Sequence, residues 1–274
     1  MNKKMLVSLI SLVIIVLLIF LIFFTFPTNY KNKIKVASYE HNAFNTKIIN
    51  AKVIVFSDTH LYYDYNIPQL KMVVDKINEQ SPDIVIFNGD LINNKAYALN
   101  KEHSKINKQI ITELKRINPL YGKFAILGEQ DETNKDTPNI LNEADFEILN
   151  NTIRPININN KHFNIIGLKD NKDPLKILSK ANDKDFNMVI AHNPNIIDKI
   201  TNNKIDLIVC GHTLGGQYYL PLIGSIFKDI KTYKYYRGTN NINGIKTYTS
   251  NGLGIYQSNM RFNTPSTIET FILY

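Results

Sequence analysis

The chain has 274 residues, of which 44% are hydrophobic and 20% charged, the composition of a folded globular protein and not of a disordered one. Its one cysteine, Cys210, excludes an intramolecular disulfide, and its apolar neighbours give it the role of a small buried hydrophobe. The net charge of +8 favours anionic partners, but no arginine-rich run accompanies it, and a nucleic-acid interface is not expected.

In chain order, the first element is apolar. Met5 to Phe26 holds almost only Leu, Ile, Val and Phe, and about 20 such residues in a helix match the thickness of a bilayer. Pro27 closes it. Phe23, Phe24 and Phe26 are too bulky for a signal-peptidase exit site, so residues 1–27 read as an uncleaved, single-pass membrane anchor. Lys3 and Lys4 precede it, and Lys31, Lys33 and Lys35 follow. The positive charges are nearly balanced, and since large domains translocate largely regardless of charge, the domain is expected outside the cytoplasm. Residues 28–50 are polar and read as a tether with an entry strand, and residues 51–274 as the functional domain.

Five short apolar runs then each exit into polar residues. Lys52 to Phe56 leads into Ser57, Asp58, Thr59 and His60. Asp83 to Phe87 leads into Asn88, Gly89 and Asp90. Phe124 to Leu127 leads into Gly128, Glu129, Gln130 and Asp131. Met188 to Ala191 leads into His192, and Leu207 to Cys210 into Gly211, His212 and Thr213. Such β-branched runs bounded by Gly, Pro or Asp predict strands buried on both faces. Between them, Leu70, Val73, Val74 and Ile77 share a face of a helix predicted over 68–80. Ile106, Ile110, Leu114 and Ile117 do the same over 97–118. Strands alternating with helices imply a layered α/β fold, in which loops at the carboxyl ends of the strands gather along one edge.

That topology carries Asp58, His60, Asp90, Glu129, His192 and His212 to one rim. A lone aspartate after a strand is usually a cap or a turn, and a lone histidine is more often structural than catalytic. Here three of the six histidines sit at strand exits, whereas His41, His103 and His162 read as surface or packing residues. Mixed carboxylate and imidazole ligands suit Mn, Fe or Zn. One carboxylate, Asp90, could bridge two ions, an arrangement suited to phosphoester hydrolysis.

The ordered set Asp58–His60, Gly89–Asp90, Gly128–Asp131, His192 and Gly211–Leu214 resembles the calcineurin-like metallophosphoesterases. The stretch from Gly211 to Gln217, with Leu220 and Pro221, Tyr236 to Gly238 and Tyr248 to Gly254, is similar to a membrane-anchored bacterial branch that includes UDP-2,3-diacylglucosamine pyrophosphatases. The resemblance implies a four-layer α/β/β/α sandwich. It also implies one or two divalent metal ions, one on Asp58, His60 and Asp90 and the other on Asp90, His192 and His212 with position 129 contributing. In-line attack on phosphorus would follow. The implied substrate is a phosphorylated small molecule or a lipid-linked phosphate.

Two motifs depart from the family pattern. Glu129 and Gln130 stand where the family has Asn and a catalytic His, and Leu214 stands where it has a second His. Asp131 keeps the acidic position, and with Gln130 and His192 makes up the candidate catalytic set. Two readings follow: a metal-dependent phosphoester or pyrophosphate hydrolase with a modified site, or a metal- or ligand-binding pseudoenzyme of the same fold.

Overall fold

This computed structural model describes residues 2–25, 33–41, 50–63, 66–169, 173–201, 204–226, 233–256 and 260–274. The β-branched runs pair into two six-stranded sheets. The first takes the order β1 (Ile34–His41), β14 (Ser266–Leu273), β2 (Ala51–Phe56), β3 (Ile84–Asn88), β4 (Lys123–Ile126) and β5 (Phe146–Ile148). The second takes the order β12 (Gly238–Ile242), β13 (Ile245–Thr249), β9 (Leu207–Cys210), β8 (Phe186–Ala191), β7 (Lys161–Leu168) and β6 (Thr152–Ile158). A short hairpin, β10 (Tyr219–Leu220) and β11 (Gly224–Ser225), stands apart from both. β2 to β5 run parallel, and so do β7 to β9.

Side chains alternate across each strand, so each sheet buries both faces. Val53, Val55, Ile84 and Ile86 of the first sheet meet Ile165, Met188, Ile190 and Val209 of the second. The opposite face of the first sheet, with Ile54, Phe56, Val85 and Phe87, packs on α2 (Ile67–Glu79) and α4 (His103–Lys115). The opposite face of the second carries Ile166, Val189 and Ile208 against α7 (Pro174–Leu178) and a 3-10 turn over Pro194–Lys199. The layers therefore run α/β/β/α, the last of them thin.

The helix expected over 97–118 is two helices, α3 (Asn94–Leu99) and α4. Asn100 breaks them: its backbone is extended at ψ 146°, and its side chain accepts from Glu102 N at 2.7 Å. That short-range bond competes with the helix ladder, as Asn commonly does. Two further helices, α5 (Glu129–Thr133) and α6 (Thr137–Glu143), follow β4.

The expectations for the N-terminus need correction. A helix, α1, runs over Lys3–Thr25 with its described large side chains exposed. Yet among the described residues no helix is long and apolar enough to cross a membrane. The expected tether falls largely outside the described residues. Its described part forms the entry strand: β1 pairs in parallel with β14 and extends the first sheet upstream of residue 51.

Candidate metal centre

The two sheets meet at their carboxyl ends through Asn88, whose Nδ2 donates to the carbonyls of Ala191 at 3.2 Å and Val209 at 3.5 Å. This staple sets the ends of β3, β8 and β9 side by side. The chain then turns sharply after each strand. Asp58, His60, Asp90 and His212 all have positive φ, at 53°, 44°, 61° and 70°, a region that non-glycine residues seldom occupy. These turns point the side chains over the strand ends. Glycine makes the room they need: a Cβ on Gly128 would lie 2.2 Å from Asp90 Oδ1 and 2.8 Å from His192 Nε2.

Two groups result, Asp58, His60 and Asp90 in one and Asp90, Glu129, His192 and His212 in the other. Within each, one ligand atom per residue lies within 4.8 Å of the others. Asp90 belongs to both. His192 is oriented by its Nδ1, 2.7 Å from the carbonyl of Asn88. A carbonyl only accepts, so Nδ1 carries a proton and Nε2 faces the site. Nε2 is buried without a hydrogen-bond partner, yet lies 3.3 Å from Glu129 Oε2, 3.5 Å from Asp90 Oδ2 and 3.9 Å from Asp58 Oδ1. His60 Nε2 is 4.0 Å from Asp58 Oδ1 and 3.9 Å from Asp90 Oδ2. His212 Nδ1 is 3.1 Å from Glu129 Oε2. Carboxylate and imidazole atoms converging at such spacing, one orphaned though buried, fit divalent cations.

Without a cation the charges lean on one another. Burial disfavours a charged His192 and His212, but Asp90 and Glu129 outweigh it at His192, and Glu129 with Asp58 outweighs it at His212, so both imidazoles are raised. Burial would raise Glu129 as well, but the two imidazoles outweigh it and hold its carboxyl below the usual range. Burial lowers His60, with Asp90 and Asp58 only partly offsetting it.

The calcineurin-like phosphoesterase family matches residues 51–216. The chain belongs to that family. It is 28% identical over 230 residues to the metallophosphoesterase YkuE of Bacillus subtilis, covering 81% of this chain and 78% of the relative. It is 29% identical over 216 residues to the phosphodiesterase YaeI of Escherichia coli, covering 74% and 75%. A dimetal phosphatase structure from Danio rerio aligns with a TM-score of 0.48 at 11% identity, over 82% of this chain and 99% of that one. The family is one of hydrolases, and its fold implies divalent metal ions.

Two expected catalytic residues of this phosphoesterase have other roles. Asp131 is fully buried, and its carboxylate accepts from the backbone N–H groups of Asp90 (2.7 Å), Leu91 (2.9 Å) and Gly128 (3.0 Å). It fixes the turns that carry Asp90 and Glu129 and does not face the rim. Burial, then the neighbouring Asp90, pushes it up to about 7, against the pull of those N–H groups. Gln130 turns away: its Oε1 accepts from Asn94 N at 3.1 Å, and only its backbone N–H, 3.0 Å from Asp90 Oδ1, serves the site. Leu214 is buried beside Gly252.

Sequence reading missed three supports. Ser57 Oγ donates to Asp58 Oδ2 at 2.5 Å. Arg261, fully buried, donates to the carbonyls of Gly254 and Asn251 at 2.7 and 2.8 Å. Glu269, also fully buried, accepts from Ser250 and Thr267. The loop that the last two hold, Ser250 to Gly254, lies against Asp58: Gly254 N donates to Asp58 O at 2.7 Å. No spacing or residue pattern flags an isolated charged residue that will be buried.

Proposed function

We propose that this phosphoesterase hydrolyses phosphodiester or pyrophosphate bonds of a membrane-associated, lipid-linked substrate, using Mn, Fe or Zn. The observation that carries the reading is the convergence of six ligating side chains around the orphaned Nε2 of His192. Asp58, His60 and Asp90 would hold one ion, and Asp90, Glu129, His192 and His212 the other. Bound divalent cations would supply Lewis-acid polarisation of the phosphoryl group and neutralise charge developing on its oxygens.

The chain's own part is positioning. Asn88 fixes the tautomer and direction of His192, Asp131 holds Asp90 in place, and Ser57 and His212 N–H orient Asp58. Among the described residues, the imidazoles of the rim are His60, His192 and His212, each facing the carboxylates. None is left over to protonate a leaving group, a contribution typically worth ~10²–10⁴-fold. Substrates whose leaving group needs little protonation, such as aryl phosphates and nucleoside diphosphates, are therefore favoured. A relative named as a phosphodiesterase supports the reaction class.

The membrane part of the proposal is supported by α1, whose described large apolar side chains are all exposed. A helix that is apolar all round has no face suited to water. The test uses the full-length chain in detergent, with each metal in turn and a panel of aryl phosphodiesters, nucleoside diphosphate lipids and phosphomonoesters. Metal-dependent cleavage of activated diesters or pyrophosphates is expected. Failure to cleave any of them with any metal, or cleavage that chelation leaves unchanged, overturns the reading.

A further inference from the structure

The hairpin β10–β11 follows the loop that leaves the metal rim after His212 and ends in an apolar tip. Leu222 is 106% exposed, Ile223 70% and Ile226 46%. Hairpin turns ordinarily carry Gly, Asn or Asp, which are polar or tolerate positive φ. Here Leu222 holds φ 71° and buries nothing against the chain. A leucine in that conformation is strained, and full exposure returns none of its transfer free energy. Folding alone gives no reason for an aliphatic tip.

The mount is rigid and belongs to the site. Ser225 Oγ donates to Gly216 O at 2.6 Å, and a Cβ on Gly216 would lie 2.4 Å from Ser225 Cβ, so the hairpin rests directly on the loop that follows His212. Gln217 Oε1 accepts from Tyr256 N at 3.0 Å, and the Tyr256 ring lies 5.5 Å from that of His60. At the base, the guanidinium of Arg237 lies 4.2 Å from the centre of the Tyr219 ring. An apolar tip above a cation and a tyrosine is the arrangement of a segment seated at a lipid interface: the tip enters the acyl boundary while the base meets anionic headgroups. The net charge of +8 complements such a surface.

We propose that this hairpin docks on the bilayer, with Leu222 and Ile223 in the acyl boundary, and so brings the metal rim to phosphates at the headgroup level. The proposal rests on the membrane reading above and adds to it the face that meets the lipid.

The chain contains no tryptophan, so Leu222→Trp creates a single reporter in the full-length protein, and Ile223→Trp a second. Leu120→Trp is the control: Leu120 is 72% exposed and precedes β4, at the opposite end of the strands from the rim. The proteins are reconstituted into vesicles of phosphatidylcholine and phosphatidylglycerol, with and without brominated acyl chains, and their flotation is recorded. The expected result is blue-shifted emission at positions 222 and 223 that brominated lipid quenches, with neither effect at 120. If the chain floats but emission at 222 and 223 stays that of water-exposed tryptophan, the hairpin contact is refuted and the membrane reading stands. If the emission is blue-shifted but brominated lipid does not quench it, a second protein surface covers the tip, and the proposal is again refuted. A chain that does not float refutes both. Metal-dependent hydrolysis of a soluble aryl phosphodiester reports separately on the hydrolase reading.

Discussion

Glu269 offers a stability prediction whose size can be worked from its surroundings. It lies on β14 with no exposed surface, and its Oε1 accepts from Ser250 Oγ at 2.9 Å and Thr267 Oγ1 at 2.5 Å. Its Oε2 has no hydrogen-bond partner among the described residues. Burial raises the carboxyl to about 8 from an ordinary 4.5, the two hydroxyls offsetting only part of that, and Asp58 adds to the rise. The folded chain therefore keeps a proton that the unfolded chain releases. Stability from this group is fully present below pH ~4.5 and is lost as pH rises towards ~8. At about 1.36 kcal/mol per pH unit, the gap is worth on the order of 3–5 kcal/mol. Glu269→Gln keeps an acceptor for the hydroxyls and cannot ionise. Denaturant unfolding at pH 5, 7 and 9, with chelator present so that metal binding adds nothing, should show the variant gaining stability over wild type as pH rises. Parallel profiles for the two proteins from pH 5 to 9 would refute a buried neutral carboxyl.

Asp90→Ala should remove most bound metal and abolish hydrolysis, because Asp90 belongs to both ligand groups; loss of even a supporting residue typically costs ~10–100-fold in affinity. Asp75→Ala, which breaks only an exposed pair with Arg116, should change neither, and equal metal content in wild type and Asp90→Ala would sink the bridging role. The group with Glu129 should fill first, since it has four ligands against three and an anionic oxygen where an amide is usual. Leu214→His should then raise metal per chain towards two by elemental analysis, and wild type already holding two ions of similar affinity would refute the ranking. Apparent Mn²⁺ affinity should rise with pH. Burial notwithstanding, Asp90 and Glu129 raise His192 above the usual imidazole range, and Glu129 with Asp58 raises His212, and a cation must displace those protons. A flat pH profile by calorimetry would count against imidazole ligation.

The sequence made much of this legible because each strand announced itself twice, by its β-branched run and by the polar residue at its exit. Val53, Ile86 and Val209 mark buried strands, and the residues after them reach the rim as the crossover topology requires. What could not be read was local competition and long-range support. Asn100 looks like any polar residue on a helix face, yet its side chain ends the helix. Asp131 reads as a catalytic acid because its type and position suit one, and only the three backbone N–H groups around it reveal a turn-forming role. The partner of the entry strand was hidden for another reason: β1 pairs with β14, more than 200 residues away, and pairing at that distance leaves no mark on either segment.

The strained turns bear on what the metal does for the fold. Left-handed φ at a non-glycine residue costs about 1–2 kcal/mol, and Asp58, His60, Asp90 and His212 all adopt it. If ligation supplied the compensation, the turns would relax whenever the ions left. The bonds that hold them need no ion. Asp58 N donates to Gly89 O at 2.8 Å, His60 N to Asp90 O at 3.2 Å and Leu61 N to Leu91 O at 2.8 Å, so the first two motif loops brace each other. Asp131 braces the second loop against the third, and Asp58 accepts from His212 N at 3.1 Å, which ties in the last. The motif loops are thus linked in one hydrogen-bonded series above two packed sheets. These bonds and the core beneath them offset the cost of the left-handed turns and orient the ligand side chains.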